Sequence, residues 1–173
     1  MVEKSKIHID SMENDIVLAS INKDDLEPLR KWKNANRGAF FHKEIITESG
    51  QKKWYDKYTS AENDYIFMVL YNSVKIGCLG YREMNGLIDI YNVILGKNEF
   101  GKKGLMGSAL RILCSYLYDN IKGDITTRVL YENPAKSWYI KNGFIKIKRA
   151  EDYLLLKLDI NNFCYLKYNL KIS

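Results

Sequence analysis

The sequence predicts a mixed α/β fold, with a mainly antiparallel central sheet flanked by helices. Three observations lead to this prediction. Apolar residues make up 46% of the 173 residues, which is enough to bury the core of one domain. Three β segments follow one another through tight turns between residues 65 and 95. A helical segment at residues 105–117 then precedes a further β segment, which is the order of a parallel crossover.

The N-terminal third predicts one strand and two helices. The strand is expected at residues 15–21, after a polar lead-in. Asp24 then has the position of a helix N-cap at the head of a capping box, and the helix should end near Asn34. Thr47 or Ser49 can begin the second helix, because both side chains cap helix N-termini well.

A three-stranded meander is predicted next. Its strands are expected at residues 65–71, 74–81 and 87–95. The turns between them are Asn72-Ser73 and Asn85-Gly86, and the second is a strong two-residue hairpin signal. The strands should therefore be antiparallel neighbours.

The C-terminal half begins with a long helix, whose apolar residues recur at helical spacing on one side. A strand at residues 124–131 follows, so the two strands flanking this helix should be parallel through a right-handed crossover. A short helix is expected to begin with Asn133 as its N-cap and to end at Gly143. Two final β segments are predicted at about residues 144–158 and 163–170.

The charge balance is basic, because 27 Lys and Arg against 21 Asp and Glu leave a formal charge of +6. Nucleic acid, an anionic membrane and a phosphorylated small molecule are all attracted by such a surplus. A nucleic-acid-binding module would cluster its basic residues on one face with exposed aromatic residues, whereas these are spread over the whole length. We therefore expect no nucleic-acid partner and keep that module as the non-enzyme alternative.

No apolar run approaches the ~20 residues needed to cross a bilayer, and residues 1–6 lack the apolar region of a signal peptide. This predicts a cytoplasmic protein with no membrane partner. The cysteines Cys78, Cys114 and Cys164 lie far apart, with no C-x-x-C pair and only two histidines in the chain. We expect no metal site, since zinc needs closely spaced ligands, and three buried or inert thiols.

Residues 96–110 join the meander to the long helix and contain four glycines and three lysines. A glycine-rich entry to a helix lets a phosphate approach unpaired backbone N–H groups. The spacing is neither that of a P-loop nor that of a dinucleotide-binding fingerprint. Taken alone, the stretch fits pyrophosphate binding or a flexible loop.

Gly101 to Met106 form this entry, with Gly104 inside it, and a second segment contains Ala135, Tyr139, Gly143 and Phe144. This combination resembles the GNAT superfamily of acetyl-CoA-dependent acyltransferases, in which the first segment cradles the coenzyme A pyrophosphate. Two positions depart from the family pattern. Gly101 stands where Gln or Arg is usual, and Met106 where Gly or Ala is usual.

The resemblance covers nearly the whole chain and implies a single GNAT domain over residues 1–173, with its sheet splayed at the acetyl-CoA site. It implies substrate-side helices at about residues 24–60, an acetyl-CoA loop and helix at 93–120, and a second coenzyme and catalytic motif at 132–144. Acetyl-CoA is the implied co-substrate. The implied assembly is a monomer or a homodimer.

Trp32-Lys33-Asn34, residues 45–47, Gln51 and Trp54 narrow the resemblance. They are similar to the ribosomal-protein N-acetyltransferases and, more closely, to the acetyltransferases of nucleotide-linked amino sugars in flagellin and surface-glycan pathways. The implied acceptor is a small-molecule primary amine on such a sugar. The N-terminus of a protein such as a ribosomal protein, or another small amine, is the alternative.

The resemblance also implies site residues. The acceptor would be bound by Trp32, Asn34, His42, Tyr81 and Tyr91, although each tryptophan taken singly is also explained as helix core. The pantetheine and the developing oxyanion would meet the backbone of Val93, Ile94, Leu95 and Gly96. The pyrophosphate would be held by Gly101, Lys102, Lys103, Gly104, Leu105, Met106 and Gly107, with further coenzyme contacts from Asn133, Lys136 and Tyr139.

The catalytic groups follow from direct attack of an amine on a thioester, which needs no cysteine nucleophile. Tyr139 is the expected general acid, because a phenol can protonate or hydrogen-bond the departing thiolate. Asp89 is the leading candidate for the general base, since family bases often come from this strand. His42 is the second candidate because its ordinary pKa is near neutral, and Tyr91 and Glu83 are further candidates.

Overall fold

The computed structural model describes residues 4–173. Its strands form one nine-stranded sheet in the order β7-β8-β6-β5-β4-β3-β2-β1-β9. The strands are β1 Ile7–Ser11, β2 Ile16–Ser20, β3 Asp64–Tyr71, β4 Val74–Met84, β5 Leu87–Leu95, β6 Asp124–Leu130, β7 Phe144–Arg149, β8 Tyr153–Leu158 and β9 Tyr168–Ile172.

Helices cover both faces of the sheet. The α-helices are α1 Leu26–Ala35, α2 Glu48–Ser60, α3 Leu105–Asn120 and α4 Lys136–Lys141, with short 3-10 turns at Lys23–Asp25, Arg37–Ala39 and Asn98–Phe100. Helix α3 packs its apolar side, including Leu110, Leu113 and Leu117, into the larger core cluster. Helices α1 and α2 pack Leu29 and Tyr58 into a second cluster.

The sheet is mainly antiparallel, which confirms the predicted mixed α/β class. The predicted parallel pair is β5 with β6, joined through α3, and the other neighbouring pairs are antiparallel. Both predicted turns are present: Asn72-Ser73 and Asn85-Gly86 have positive φ at both residues, as a type I′ hairpin requires. The meander is therefore built as its turn residues predict.

The parallel pairing of β5 with β6 is short. It extends from Leu87 with Asp124 to Ile90 with Thr127 and then ends. Strand β5 also carries an irregularity against β4, where the register shifts between Cys78 and Gly80, and Asn92 opposite this shift has φ 53°. A bulge bends a strand and increases its twist, so β5 diverges from β6 beyond this point.

Two predicted element boundaries were wrong near the N-terminus. The polar lead-in contains strand β1, in which buried Ile7 and Ile9 alternate with His8 and Asp10. The strand has only five residues, so its alternation of apolar and polar residues was too short to be recognised in the sequence. The first capping box is formed by Asn22 with Asp25, ahead of Asp24, and it begins a 3-10 turn that leads into α1.

The C-terminal boundaries also differ. Helix α4 begins at Lys136, and the Asn133 side chain accepts a hydrogen bond from Ala135 N–H in the turn before it, so Asn133 is not its N-cap. The region 144–158 is a hairpin of two strands. Strand β9 starts only at residue 168, because it pairs with β1 at the far edge of the sheet.

Trp32 fixes α1 against the end of β5. A Cβ atom on Gly96 would lie 2.6 Å from Trp32 Cζ2 and still closer to the fused ring carbons, so the indole packs directly on the glycine backbone. We predict that Gly96→Ala lowers the free energy of unfolding by about 1–3 kcal/mol, because the indole must move away. Urea denaturation measures this change.

Gly38→Ala is the matched control, since nothing lies within 4 Å of a Cβ at that position. It should leave the free energy of unfolding nearly unchanged. Equal stability of the two variants would contradict the packing of Trp32 on Gly96.

Candidate active site

A cleft of about 1420 Å³ opens where β5 and β6 diverge. One wall is β5 from Ile90 to Leu95 with the loop that follows it, and the opposite wall is β6 with the turn and helix after it. Helices α1 and α2 and the segment between them close a third side. The cleft therefore exists because the two strands stop pairing.

One end of the cleft is the entry to α3. Lys102 and Gly104 both have left-handed backbone, with φ 59° and 71°, and α3 begins at the next residue. No side chain caps this helix, and the first-turn N–H groups of a helix have no acceptors within the helix. These groups carry partial positive charge, so this end of the cleft suits an anion.

The middle of the cleft is an unpaired strand edge. Val93, Ile94 and Leu95 line the cleft beyond the last β5–β6 pair. An extended chain could pair with the backbone of this edge as an added strand does. Gly96 marks its limit, because the Gly96 and Lys97 N–H groups donate to the Ile76 carbonyl at 2.8 and 3.0 Å.

Tyr139 of α4 lines the opposite wall and is 7% exposed. Its ring meets Trp138 and Phe144 edge to face, which fixes its direction. Burial raises the pKa of the phenol, and a hydrogen bond with Thr127 opposes this only in part. The hydroxyl therefore stays protonated at neutral pH, and it lies beside Thr127 at the wall of the cleft.

Asp89 is buried and paired, rather than a carboxylate on the surface. Arg128 Nη2 donates to Asp89 Oδ2 at 2.9 Å, and Arg128 Nε to Oδ1 at 3.5 Å. Both side chains line the cleft. If Asp89 takes part in a reaction, it does so as a carboxylate bound to Arg128.

The cleft contains two of the five expected acceptor residues. His42 lies at its exposed side. Tyr91 lines it as well, with its hydroxyl donating to Asp64 and the Arg82 guanidinium 3.8 Å from its ring centroid. Burial is the main cause that raises the pKa of Tyr91, so this hydroxyl also stays protonated.

The other three expected acceptor residues lie elsewhere. Tyr81 is in the core with α3, stacked on Tyr65, because residues at odd positions of this part of β4 point to the face opposite the cleft. Trp32 covers Gly96. The Asn34 amide donates to the carbonyl and accepts from the N–H of Ile46, which ties the end of α1 to the following loop.

By the same alternation along β4, Glu83 is exposed and lies outside the cleft, so the structure does not support it as a candidate base.

Three expected coenzyme contacts also lie outside the lining of the cleft. They are Gly96, Lys136 and Lys103, and the Lys103 amine is 5.4 Å from the Phe100 ring centroid. The lining includes Val93, Ile94, Leu95, Gly101, Lys102, Gly104, Leu105, Met106, Gly107, Asn133 and Tyr139.

Lys33 is a cleft residue that sequence reasoning did not single out, although it stands inside the Trp32-Lys33-Asn34 motif. Its amine donates to the Asn92 side-chain oxygen and lies 3.4 Å from the Phe40 ring centroid. Burial lowers the pKa of Lys33 to about 8. Only the position of α1 over the bulge of β5 brings this amine into the cleft.

Most of the charged side chains that line the cleft are cationic. Lys33, Arg82, Lys102 and Arg128 line it, and Asp89 is the single carboxylate among its described residues. Arg82 is also paired with Asp64 behind the lining, at 3.3 Å. A ligand with negative charge is therefore favoured over a polycation.

Residues 4–173 contain no group of three His, Cys, Asp or Glu side chains that could hold a metal ion. Within the same residues no helix is long and apolar enough to cross a membrane. Cys78 and Cys114 are buried free thiols, and burial raises the pKa of Cys78 to about 12, whereas Cys164 is exposed.

Comparison with solved structures shows the fold. The protein AAC(6')-Ib, solved with ribostamycin and coenzyme A, is 18% identical, with a TM-score of 0.74 over 86% of this chain and 95% of that one. Spermidine N-acetyltransferase from Vibrio cholerae, solved with coenzyme A and spermine, is 17% identical, with a TM-score of 0.69 over 91% and 95%.

FdhC, described as a nucleotide-linked sugar GNAT and solved without ligand, is 15% identical, with a TM-score of 0.71 over 91% of this chain and 89% of that one. No protein-family model and no curated protein matches the sequence. At these identities the similarity is one of fold, and it agrees with the mixed sheet and flanking helices described above.

The pair between Arg128 and Asp89 is expected to stabilise the cleft wall. Arg128→Leu would leave the buried Asp89 carboxylate without its charged donor, so we predict a loss of about 1–3 kcal/mol in the free energy of unfolding. Arg128→Lys keeps a cation in reach and should lose less. Chemical denaturation of both variants at neutral pH tests this, and a Leu variant as stable as the Lys variant would refute it.

Proposed function

We propose that this chain is a GNAT N-acetyltransferase that transfers the acetyl group of acetyl-CoA to a primary amine, carried by a nucleotide-linked amino sugar. The observation that carries the proposal is the order of features along one cleft. An anion-binding helix entry, an unpaired strand edge and a buried hydroxyl donor follow one another. They correspond in order to the pyrophosphate, the pantetheine and the thioester of acetyl-CoA.

The helix entry is proposed to hold the pyrophosphate. The first-turn N–H groups of α3 supply the donors, and left-handed Lys102 and Gly104 shape the turn. Lys102 adds a positive charge within the cleft, whereas Lys103 would act only at longer range. Met106 fits this role despite its departure from the family pattern, because the contacts come from the backbone.

The free edge of β5 is proposed to bind the pantetheine by main-chain hydrogen bonds. Val93, Ile94 and Leu95 are available for this, and Gly96 ends the available edge because its N–H is already bonded. A backbone N–H in this stretch can also stabilise the oxyanion that develops as the amine attacks. Holding both reactants in one cleft supplies most of the acceleration through orientation.

Tyr139 is the proposed general acid. Its hydroxyl is protonated at neutral pH, is held by packed rings and lines the wall opposite β5. For the general base, Asp89 and His42 remain the proposed candidates. Asp89 faces the cleft while bound to Arg128, so it would accept the proton of the acceptor through water, and exposed His42 could pass it to solvent.

The charge of the cleft supports an acceptor that carries phosphate. Four cationic side chains line it against one carboxylate, which itself is bound to Arg128. Acceptors such as spermine are polycations and would be repelled, and a peptide N-terminus would favour a groove with acidic residues. FdhC, one of the similar structures, is described as a nucleotide-linked sugar GNAT.

Tyr139→Phe tests the acid role. We predict that the variant still binds acetyl-CoA by isothermal titration, because the ring packing is kept. Its turnover should fall by about 100-fold, the lower end of what general acid catalysis supplies, since a thiolate is already a good leaving group. A thiol-release assay measures the turnover.

The matched control is Tyr131→Phe, because the Tyr131 hydroxyl binds the Ala150 carbonyl outside the cleft. It should leave both quantities unchanged. Unchanged turnover in Tyr139→Phe would remove Tyr139 from the mechanism. Absence of acetyl-CoA binding to the unmodified protein at high micromolar concentration would defeat the proposed function as a whole.

The acceptor is tested with the same thiol-release assay on three groups of amines: nucleotide-linked amino sugars, N-terminal peptides and polyamines. We predict that nucleotide-linked amino sugars have the highest kcat/KM and that their advantage shrinks as salt is added, because it depends on attraction to exposed charge. Spermidine as the preferred acceptor would contradict the charge argument.

A further inference from the structure

Lys33 is a partly buried lysine without an acidic partner. No salt bridge joins it to a carboxylate within residues 4–173. Its amine is instead held by the Asn92 side-chain oxygen and by the face of the Phe40 ring. Lys33 and both of these partners line the cleft.

Burial of Lys33 raises the neutral fraction of its amine above that of an ordinary lysine. Two titratable groups on β4 face it: the Cys78 thiol, which is neutral at physiological pH, and the Arg82 guanidinium, whose charge opposes a second cation. Tyr91 on β5 is also protonated. With a pKa of about 8, roughly one amine in ten is neutral at pH 7, against fewer than about one in a thousand for an ordinary lysine.

The position of this amine follows from the course of β5. The coenzyme would enter at the start of α3, which follows the C-terminal end of β5, and would extend along the free edge from Leu95 towards Val93. The next residue back along the strand is Asn92, at the bulge. The Lys33 amine is bonded to that residue, so it lies where the thioester end of the coenzyme would arrive.

We propose that Lys33 is an internal acyl acceptor, so that the protein acetylates its own Lys33 when acetyl-CoA is bound and no acceptor is present. This inference rests on the proposed function. The neutral amine forms a C–N bond with the acetyl carbonyl carbon, and the C–S bond breaks with its electron pair passing to sulfur. The Tyr139 hydroxyl protonates the thiolate and regains a proton from the former amine, leaving an N-acetyl-lysine and free coenzyme A thiol.

Self-acetylation would change the cleft in two ways. It removes one of the four cationic charges that favour an anionic acceptor. It also places an acetamide beside Asn92, in the space that an acceptor amine would occupy. The modified protein is therefore expected to turn over anionic acceptors more slowly than the unmodified protein.

The experiment incubates the full-length protein with acetyl-CoA alone and maps acetylation by peptide mass spectrometry over time. Lys33 should be modified at least about tenfold faster than Lys75, a half-exposed lysine outside the cleft that pairs with Asp25. The rate at Lys33 should rise as pH increases from 7 and level off above about pH 9, where most of the amine has lost its proton.

Variants separate assisted transfer from chemical acetylation. Tyr139→Phe should slow modification of Lys33 and leave that of Lys75 unchanged, and Lys33→Arg should abolish modification at that position. If acetyl-CoA binds by isothermal titration but Lys33 is modified no faster than Lys75, the self-acetylation proposal fails and the proposed function stands. If acetyl-CoA does not bind, both fail.

Discussion

The end of pairing between β5 and β6 is the constraint on which the rest of the site depends. The Thr126 and Thr127 hydroxyls donate to the carbonyls of Ile88 and Ile90, so this ladder is reinforced up to its last pair. Beyond it, the bulge at Asn92 turns β5 away. Unpaired backbone inside a sheet is costly unless a ligand or water satisfies it, which is why such an opening points to binding rather than to packing.

The two faces of the sheet carry separate apolar clusters. The face under α3 holds the larger core, including Tyr81 stacked among other rings. The face under α1 and α2 holds a smaller cluster with polar and cationic groups at its border, among them Lys33. Lys33 can lie partly buried here because its amine donates to an amide oxygen.

Individual residues show which features of the structure were predictable from the sequence and which were not. The turn at Asn85-Gly86 and the glycine at residue 104 were predictable, because a backbone with positive φ favours glycine and asparagine whatever the rest of the fold. Tyr81 and Glu83 were misplaced, because assigning a face needs the register of the whole strand. Trp32 was recognised as part of a motif, but its contact with Gly96 links positions far apart in the chain.

The sequence by itself determined the fold class, the crossover and the glycine-containing entry to α3, since these depend on local periodicity and turn chemistry. Only the tertiary structure decided where β5 and β6 separate, which charges face the cleft and how Asp89 and Lys33 are partnered. Those features arise from long-range contacts, and burial by distant segments is what lowers the pKa of Lys33 and leaves its amine facing the cleft.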